Sequence, residues 1–380
     1  MNTSRVVTAL ICLAGVVSLT GAHPCLAAEP KAEAGVAEAK ESGIAKPSAQ
    51  ARAKGLAWLA KHQNPDGSWG KTYSIAVTSF ACLSYLADSQ EPFAGLNGAA
   101  LTKGLAYLMK TQTKGQWPKQ GHTWIHGQGF ATLALSEGVG RTIFCKAKPD
   151  VDVKAMRQTV AQAVKVIAVN QSTSGGWWYT PGTKGSHEGS TTVCAVQALV
   201  SAANFGVEID DEVLDKGFEY LKRCQNADGG FDYKLDNSPN TTSMKEGTAA
   251  DVATLGLMRK FDYAVMMNGH KFLLKITPAR ISQERFPYYG HFYGCMGMRL
   301  LGQEFKSLQD KTSAYIAAAQ MDVVSWQDKE GAWPLKGSWW ASQKGTKAYA
   351  TAFATLLLSV DEGHLSIFNR KPPKLPKIQE

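Results

Sequence analysis

A short signature recurs along this chain: a glutamine, then five or six residues later a tryptophan or phenylalanine, with glycine just before the ring. It appears as QNPDGSW from Gln63 to Trp69 and QTKGQW from Gln112 to Trp117. It returns as QSTSGGW from Gln171 to Trp177, QNADGGF from Gln225 to Phe231 and QDKEGAW from Gln327 to Trp333. The glutamines stand 49, 59, 54 and 102 residues apart, and the last interval holds two periods. A sixth unit, near position 276, has therefore lost its signature. A fixed period near fifty residues means a repeat architecture whose units cannot bury their apolar faces alone.

Each unit reads as two helices. Before the glutamine, KGLAWLAKHQ (Lys54–Gln63), KGLAYLMKTQ (Lys103–Gln112) and KGFEYLKRCQ (Lys216–Gln225) carry one apolar stripe between lysine-bearing faces, the pattern of an amphipathic helix. Turns such as Asn64-Pro-Asp-Gly67 stop it. After the ring, the stretches 75–86, 191–200 and 351–358 are apolar on nearly every face, so they must be covered all round. The expected arrangement is all-α: an (α/α)6 toroid of six helix pairs, with an inner barrel of apolar helices ringed by amphipathic outer ones. Residues 263–303 are expected to form the pair without a signature. At each joint the glutamine amide is expected to bond backbone at the end of one helix, while the ring packs over the start of the next.

The ends read differently. Met1–Ala28 has Arg5, a twelve-residue apolar core at 6–17 and small residues at Cys25-Leu-Ala-Ala28. That is a secretory signal peptide, too short for a comfortable membrane span, and it places the mature chain in the periplasm or outside the cell. Residues 29–47 read as a flexible linker, 48–362 as the toroid and 363–380 as a basic, proline-broken tail. Nothing after the signal peptide is apolar for long enough to span a membrane. The net charge of +9 is spread over lysines without an aromatic-interleaved stripe, which argues against nucleic-acid binding. Cys82, Cys145, Cys194, Cys224 and Cys295 are odd in number and lack metal spacing, so buried free thiols are expected.

With these anchors the chain resembles the squalene and terpene cyclases and the β-subunits of protein prenyltransferases, over roughly residues 50–362. The resemblance implies the toroid; it does not by itself imply an activity. The Asp-x-Asp-Asp acid motif of squalene-hopene cyclases and the Asp-Cys-Thr-Ala-Glu string of oxidosqualene cyclases are both absent. Prenyltransferase zinc ligands would fall near Cys194 and His291, but Thr192 stands where the acid belongs, so no metal and no cofactor are expected. Gly175-Gly-Trp-Trp-Tyr-Thr-Pro-Gly182 followed by Glu188-Gly-Ser190 resembles a group of exported bacterial squalene-cyclase-like repeat proteins whose function is not established.

The starts of the inner helices should converge on the mouth of the ring, and polar and aromatic residues gather there. The expected ligand contacts are Trp124, His126, Trp178, His187, Tyr289, His291, Tyr293 and Trp340, because a ligand site combines apolar walls with a few polar groups. Glu246, Asp251 and Glu188 are the candidate acids. Glu246 and Asp251 are five residues apart, about 140° around a helix, so they do not pair with each other and no strong alkene-protonating acid is expected from them. The expected function is the binding of an apolar isoprenoid, a lipid or a partner in the central cavity. The alternatives are a divergent terpenoid cyclase and a polysaccharide lyase or related carbohydrate-active enzyme, the latter drawing on His126, His187 and Lys347.

Overall fold

The structure is a computed structural model, described for residues 47–235, 242–258, 261–337 and 346–375. The segments expected to be a signal peptide and, for most of its length, a linker lie outside the described residues, as do Trp339 and Trp340. Twelve α-helices are described: α1 Pro47–Lys61, α2 Ser74–Asp88, α3 Gly95–Thr111, α4 Ile125–Phe144, α5 Val153–Val169, α6 Gly189–Asn204, α7 Asp211–Arg223, α8 Lys245–Leu255, α9 Tyr263–Ile281, α10 Pro287–Glu304, α11 Gln309–Ser325 and α12 Lys347–Leu358.

Even-numbered helices form the inner barrel. α2 packs on α4, α4 on α6, α6 on α8, α8 on α10 and α10 on α12, and α12 returns to α2, so the ring closes. Their residues are buried almost throughout, as all-round apolar sequences require. Odd-numbered helices bury one face only; α7, for example, buries Leu214, Gly217, Phe218, Tyr220 and Leu221 and leaves its charged residues outside. α9 and α10 are the unsigned pair, and they complete the six.

The signature is a joint between repeats. Gln63 Nε2 donates to the carbonyls of Gly67 in its own turn and Ala100 on α3, both at 2.9 Å. Gln171 does the same to Gly175 and Val213, and Gln225 to Gly229 and Val265. Gln327 bonds Gly331 and then Ala51 on α1, which fastens the last repeat to the first. The rings are buried: Trp69, Trp177 and Trp333 donate their indole N–H to Leu59, Ile167 and Val323 on the preceding outer helix. Their backbone N–H groups reach Thr78, Thr192 and Thr351 on the following inner helix. One joint thus ties an outer helix, the next inner helix and the next outer helix.

The joint also explains its glycine. Gly175 has φ 94°, and a Cβ there would lie 2.3 Å from the Lys216 carbonyl oxygen of α7; Gly67 meets Lys103 and Gly229 meets Asn268 in the same way. Gly175→Ala is therefore expected to cost about 1–3 kcal/mol, for a strained backbone pressed onto a neighbouring helix. Urea unfolding checks this; an unchanged midpoint would show that the turn relaxes freely.

The unsigned repeat uses other contacts. α9 kinks at Thr277 (φ 46°) before Pro278, and Ser282 beyond it donates to Asp322 on α11 at 3.0 Å. The five expected cysteines are free and buried, and among the described residues no helix is long and apolar enough to cross a membrane.

Candidate functional site

The starts of the inner helices surround a cavity of about 650 Å3. Its apolar wall comes from three adjacent helices. Phe80 on α2 lies 4.4 Å, ring to ring, from Phe130 on α4 and 4.0 Å from Phe353 on α12, with Tyr349 one turn above Phe353 at 4.9 Å. Ala76, Val77 and Met244 extend it. Near the rim, Tyr179 and Tyr233 join hydroxyl to hydroxyl at 2.6 Å. Each follows its anchor ring by two residues, so the same register in two successive repeats delivers both tyrosines to the mouth.

Opposite the phenylalanines stands a pair of carboxyl groups. Glu188 caps α6: its oxygens accept from Ser190 N–H and O–H, both at 2.8 Å, and from Thr191 N–H at 2.6 Å. A carboxylate favours this end of a helix. Asp251 comes from α8, one repeat later, and is 2% exposed. Burial first, and then the charge of Glu188, push its pKa well above the ordinary carboxylate range, with no hydrogen bond acting against them. Burial raises Glu188 too, but its bonds to Ser190 and Thr191 pull it back. The pair is therefore unequal: burial and the Glu188 charge favour the protonated form of Asp251, while the bonds from Ser190 and Thr191 favour the charged form of Glu188. Asp251 is thus paired across two helices with Glu188, and not along α8 with Glu246.

Two further groups complete the polar side. The Tyr289 hydroxyl is buried without a hydrogen-bond partner on a side chain that lines the cavity. His126 has Nδ1 2.9 Å from the Thr123 hydroxyl and Nε2 3.4 Å from the Ser190 hydroxyl; burial lowers its pKa to about 4, so the ring is neutral. Glu246 also lines the cavity and accepts from Phe286 N–H at 3.3 Å.

Of the residues expected here, His126, Tyr289, Glu188, Glu246 and Asp251 line the cavity. Four others do not. Trp124 is 3% exposed and sits behind the wall, its backbone N–H donating to Tyr179. Trp178 packs against the far side of Tyr179, 5.0 Å between rings. His187 turns away to the Tyr220 hydroxyl at 2.9 Å. His291 is fully buried against Ser282 at 2.9 Å, with burial lowering its pKa to about 3. Tyr293 lies under Tyr289 and reaches Gln197 on α6. His291 and Tyr293 stand on α10, where the phase of the helix turns them from the cavity; Trp124, Trp178 and His187 stand in the segments that precede α4 and α6, where nearness to the mouth does not fix a side chain's direction. Lys347 is paired with Asp328 at 2.9 Å, and Cys194 faces the carbonyls of Ile125 and His126. Tyr179, Tyr233, Phe80, Phe130, Phe353 and Arg285 line the cavity without having been singled out.

A closed ring of helix pairs with its pocket at the inner-helix starts defines the α/α-toroid class. The prenyltransferase alpha-alpha toroid domain matches residues 40–211 and 200–277, more than half of the chain, and the protein belongs to that family. No curated protein matches it in sequence. Among solved structures, the apo type II terpene cyclase MstE from Scytonema is similar at 15% identity with a TM-score of 0.54, covering 84% of this chain and 99% of the cyclase. MstE in complex with geranylgeranyl dihydroxybenzoate, its substrate, aligns with a TM-score of 0.57 at 15% identity, over 84% of this chain and 98% of that one. An inactive α-1,6-mannanase variant of Salegentibacter sp. in complex with α-1,6-mannotriose gives 0.60 at 7% identity, over 82% of this chain and 98% of that one. At these identities the likeness is one of fold.

Proposed function

We propose that the protein is an exported toroid whose cavity binds a mainly apolar, isoprenoid-like molecule with one uncharged oxygen at its polar end. The observation that carries this reading is an aromatic wall sharing one cavity with the buried Asp251 carboxyl, whose pKa burial and Glu188 push up, and with the unpartnered Tyr289 hydroxyl. Phe80, Phe130 and Phe353 offer faces to an apolar chain. Asp251 as an acid and the unpartnered Tyr289 hydroxyl are both donors, so the ligand group that satisfies them is an acceptor such as a carbonyl, ether or alcohol oxygen.

Charge argues against prenyl diphosphates. Glu188, Asp232 and Glu246 line the cavity against Arg285, and a diphosphate would meet like charge. Strength argues against squalene: the burial and charge that keep Asp251 protonated also make it a weak acid, whereas protonating an isolated double bond takes a strong one. Hydrogen bonding to oxygen needs no such strength. A toroid of this fold holding geranylgeranyl dihydroxybenzoate is a precedent for a prenyl chain with an oxygenated end. Export rests on the signal-peptide character of residues 1–28.

A second reading is favoured by the unequal carboxyl pair itself, since an acid beside a carboxylate is also the apparatus of glycoside cleavage; the mannotriose-bound neighbour shares the fold. One experiment separates the two. The purified chain is incubated with a bacterial lipid extract and, in parallel, with a cell-wall and mannan oligosaccharide mixture, then washed and analysed by mass spectrometry. The expected result is retention of an oxygen-bearing isoprenoid, lost in Phe353→Ser. A retained or shortened glycan, with no lipid held, would replace the first reading by the second.

A further inference from the structure

The inner barrel has a second cavity at its other end, about 480 Å3 in volume. It lies where α4, α6 and α10 finish and where the chain crosses beneath them over residues 363–373. Glu137, fully buried on α4, fastens this crossing to the barrel. Its oxygens accept from the Ser366 hydroxyl at 2.6 Å, the Ser366 N–H at 2.9 Å and the Ser201 hydroxyl of α6 at 2.8 Å. Phe144, Phe205 and Pro373 give the cavity apolar walls.

One group on that wall is unmatched. Arg141 is 9% exposed; its Nη2 donates to the carbonyls of Ser89 and Gln90, both at 2.7 Å, while its Nε meets no acceptor. Glu91, whose charge reaches Arg141, directs its own oxygens to the N–H groups of Lys146 and Ala147. Glu304, the carboxylate on the cavity wall, already pairs with Arg370 at 3.0 Å, and Lys371 stands exposed at the rim. A buried guanidinium with an unused N–H and no carboxylate of its own is costly unless an anion meets it.

We propose that this lower cavity is a binding site for an anionic amphiphile, with its head on Arg141 and its tail between Phe144, Phe205 and Pro373. Arginine presents a planar fork that suits carboxylate and phosphate alike, and the volume lies within the range of ligand pockets. The lower site differs in sign from the upper one, where carboxyl groups dominate, so the two ends of one barrel select different ligands. The inference does not depend on the reading of the upper cavity.

Calorimetric titration of the full chain with dodecanoate, dodecyl phosphate and dodecanol, each below its micelle-forming concentration, tests it. Both anions are expected to bind at least tenfold more tightly than the alcohol, and the stronger of the two identifies the head group. Arg141→Met should remove that tenfold preference and leave dodecanol binding in place. Should Arg141→Met fail to fold, Phe144→Ser replaces a side chain already 49% exposed and should weaken all three ligands several-fold. Equal binding of dodecanoate and dodecanol would overturn the proposal, as would anion binding that survives these changes or that disappears in Phe353→Ser of the upper cavity.

Discussion

Trp177→Ala is expected to destabilise the toroid by about 3–5 kcal/mol, the range for deleting a large buried side chain. Trp177 is 1% exposed and stands where three helices meet. Its indole bonds Ile167 of α5 at 2.8 Å, its backbone bonds Thr192 of α6, and Gly217 of α7 approaches the ring so closely that a Cβ there would sit 3.3 Å from it. Truncation opens a cavity that helices held on three sides cannot collapse to fill. Trp177→Phe should cost much less, about 1 kcal/mol for the lost hydrogen bond together with some packing, because Phe231 occupies the same joint in the next repeat. Denaturant unfolding of both variants measures this. A midpoint unchanged in Trp177→Ala would mean that the rings fill the joints without supporting them.

Those joints are why the fold is legible in the sequence. Each repeat must satisfy the same carbonyls, seat a ring at the same distance and turn at a glycine beside the next outer helix, so the same letters return every fifty residues or so. Where the joint is built otherwise, by Ser282 and Asp322 around the kink at Thr277, the letters vanish while the helix pair remains. Only the interval between Gln225 and Gln327 reveals it.

The site is less legible for a physical reason. Inner helices are apolar on every face, so nothing in their composition marks the phase that looks into the barrel; Phe80, Phe130 and Phe353 resemble their neighbours in the core. The same ambiguity makes His291 look like a cavity residue when it turns to Ser282, and His187, in the loop before α6, turns to Tyr220. Glu188 and Asp251 belong to different repeats, and helical spacing within α8 says nothing of a partner on α6. A usable signal did exist: Tyr179 and Tyr233 both stand two residues past an anchor ring, and repeat register alone predicts that they share a mouth.

Asp251→Leu is expected to make the protein more stable and, at the same time, unable to hold its ligand. The wild-type acid is buried beside a carboxylate, and its folded pKa is raised. A carboxyl group of that kind stabilises the fold fully below its unfolded pKa of about 4, and the contribution is lost as pH rises through the folded value. Leucine has no such dependence, so the gain over wild type should grow with pH. It should be smallest at pH 4, where only the burial of an unbonded polar group weighs on the wild type, and grow by about 1.4 kcal/mol for each pH unit above the unfolded pKa until the folded value is reached. Ligand binding should fall by at least tenfold at neutral pH, because the donor to the ligand oxygen is gone. Asp251→Asn, which keeps an N–H donor without a charge, should retain much of the binding and also lose the pH trend. This pairing of gained stability with lost binding marks a group kept for function at the expense of the fold. Melting temperatures between pH 4 and 8, with ligand retention measured on the same samples, decide it: a Leu variant that is less stable at every pH would make Asp251 a structural residue.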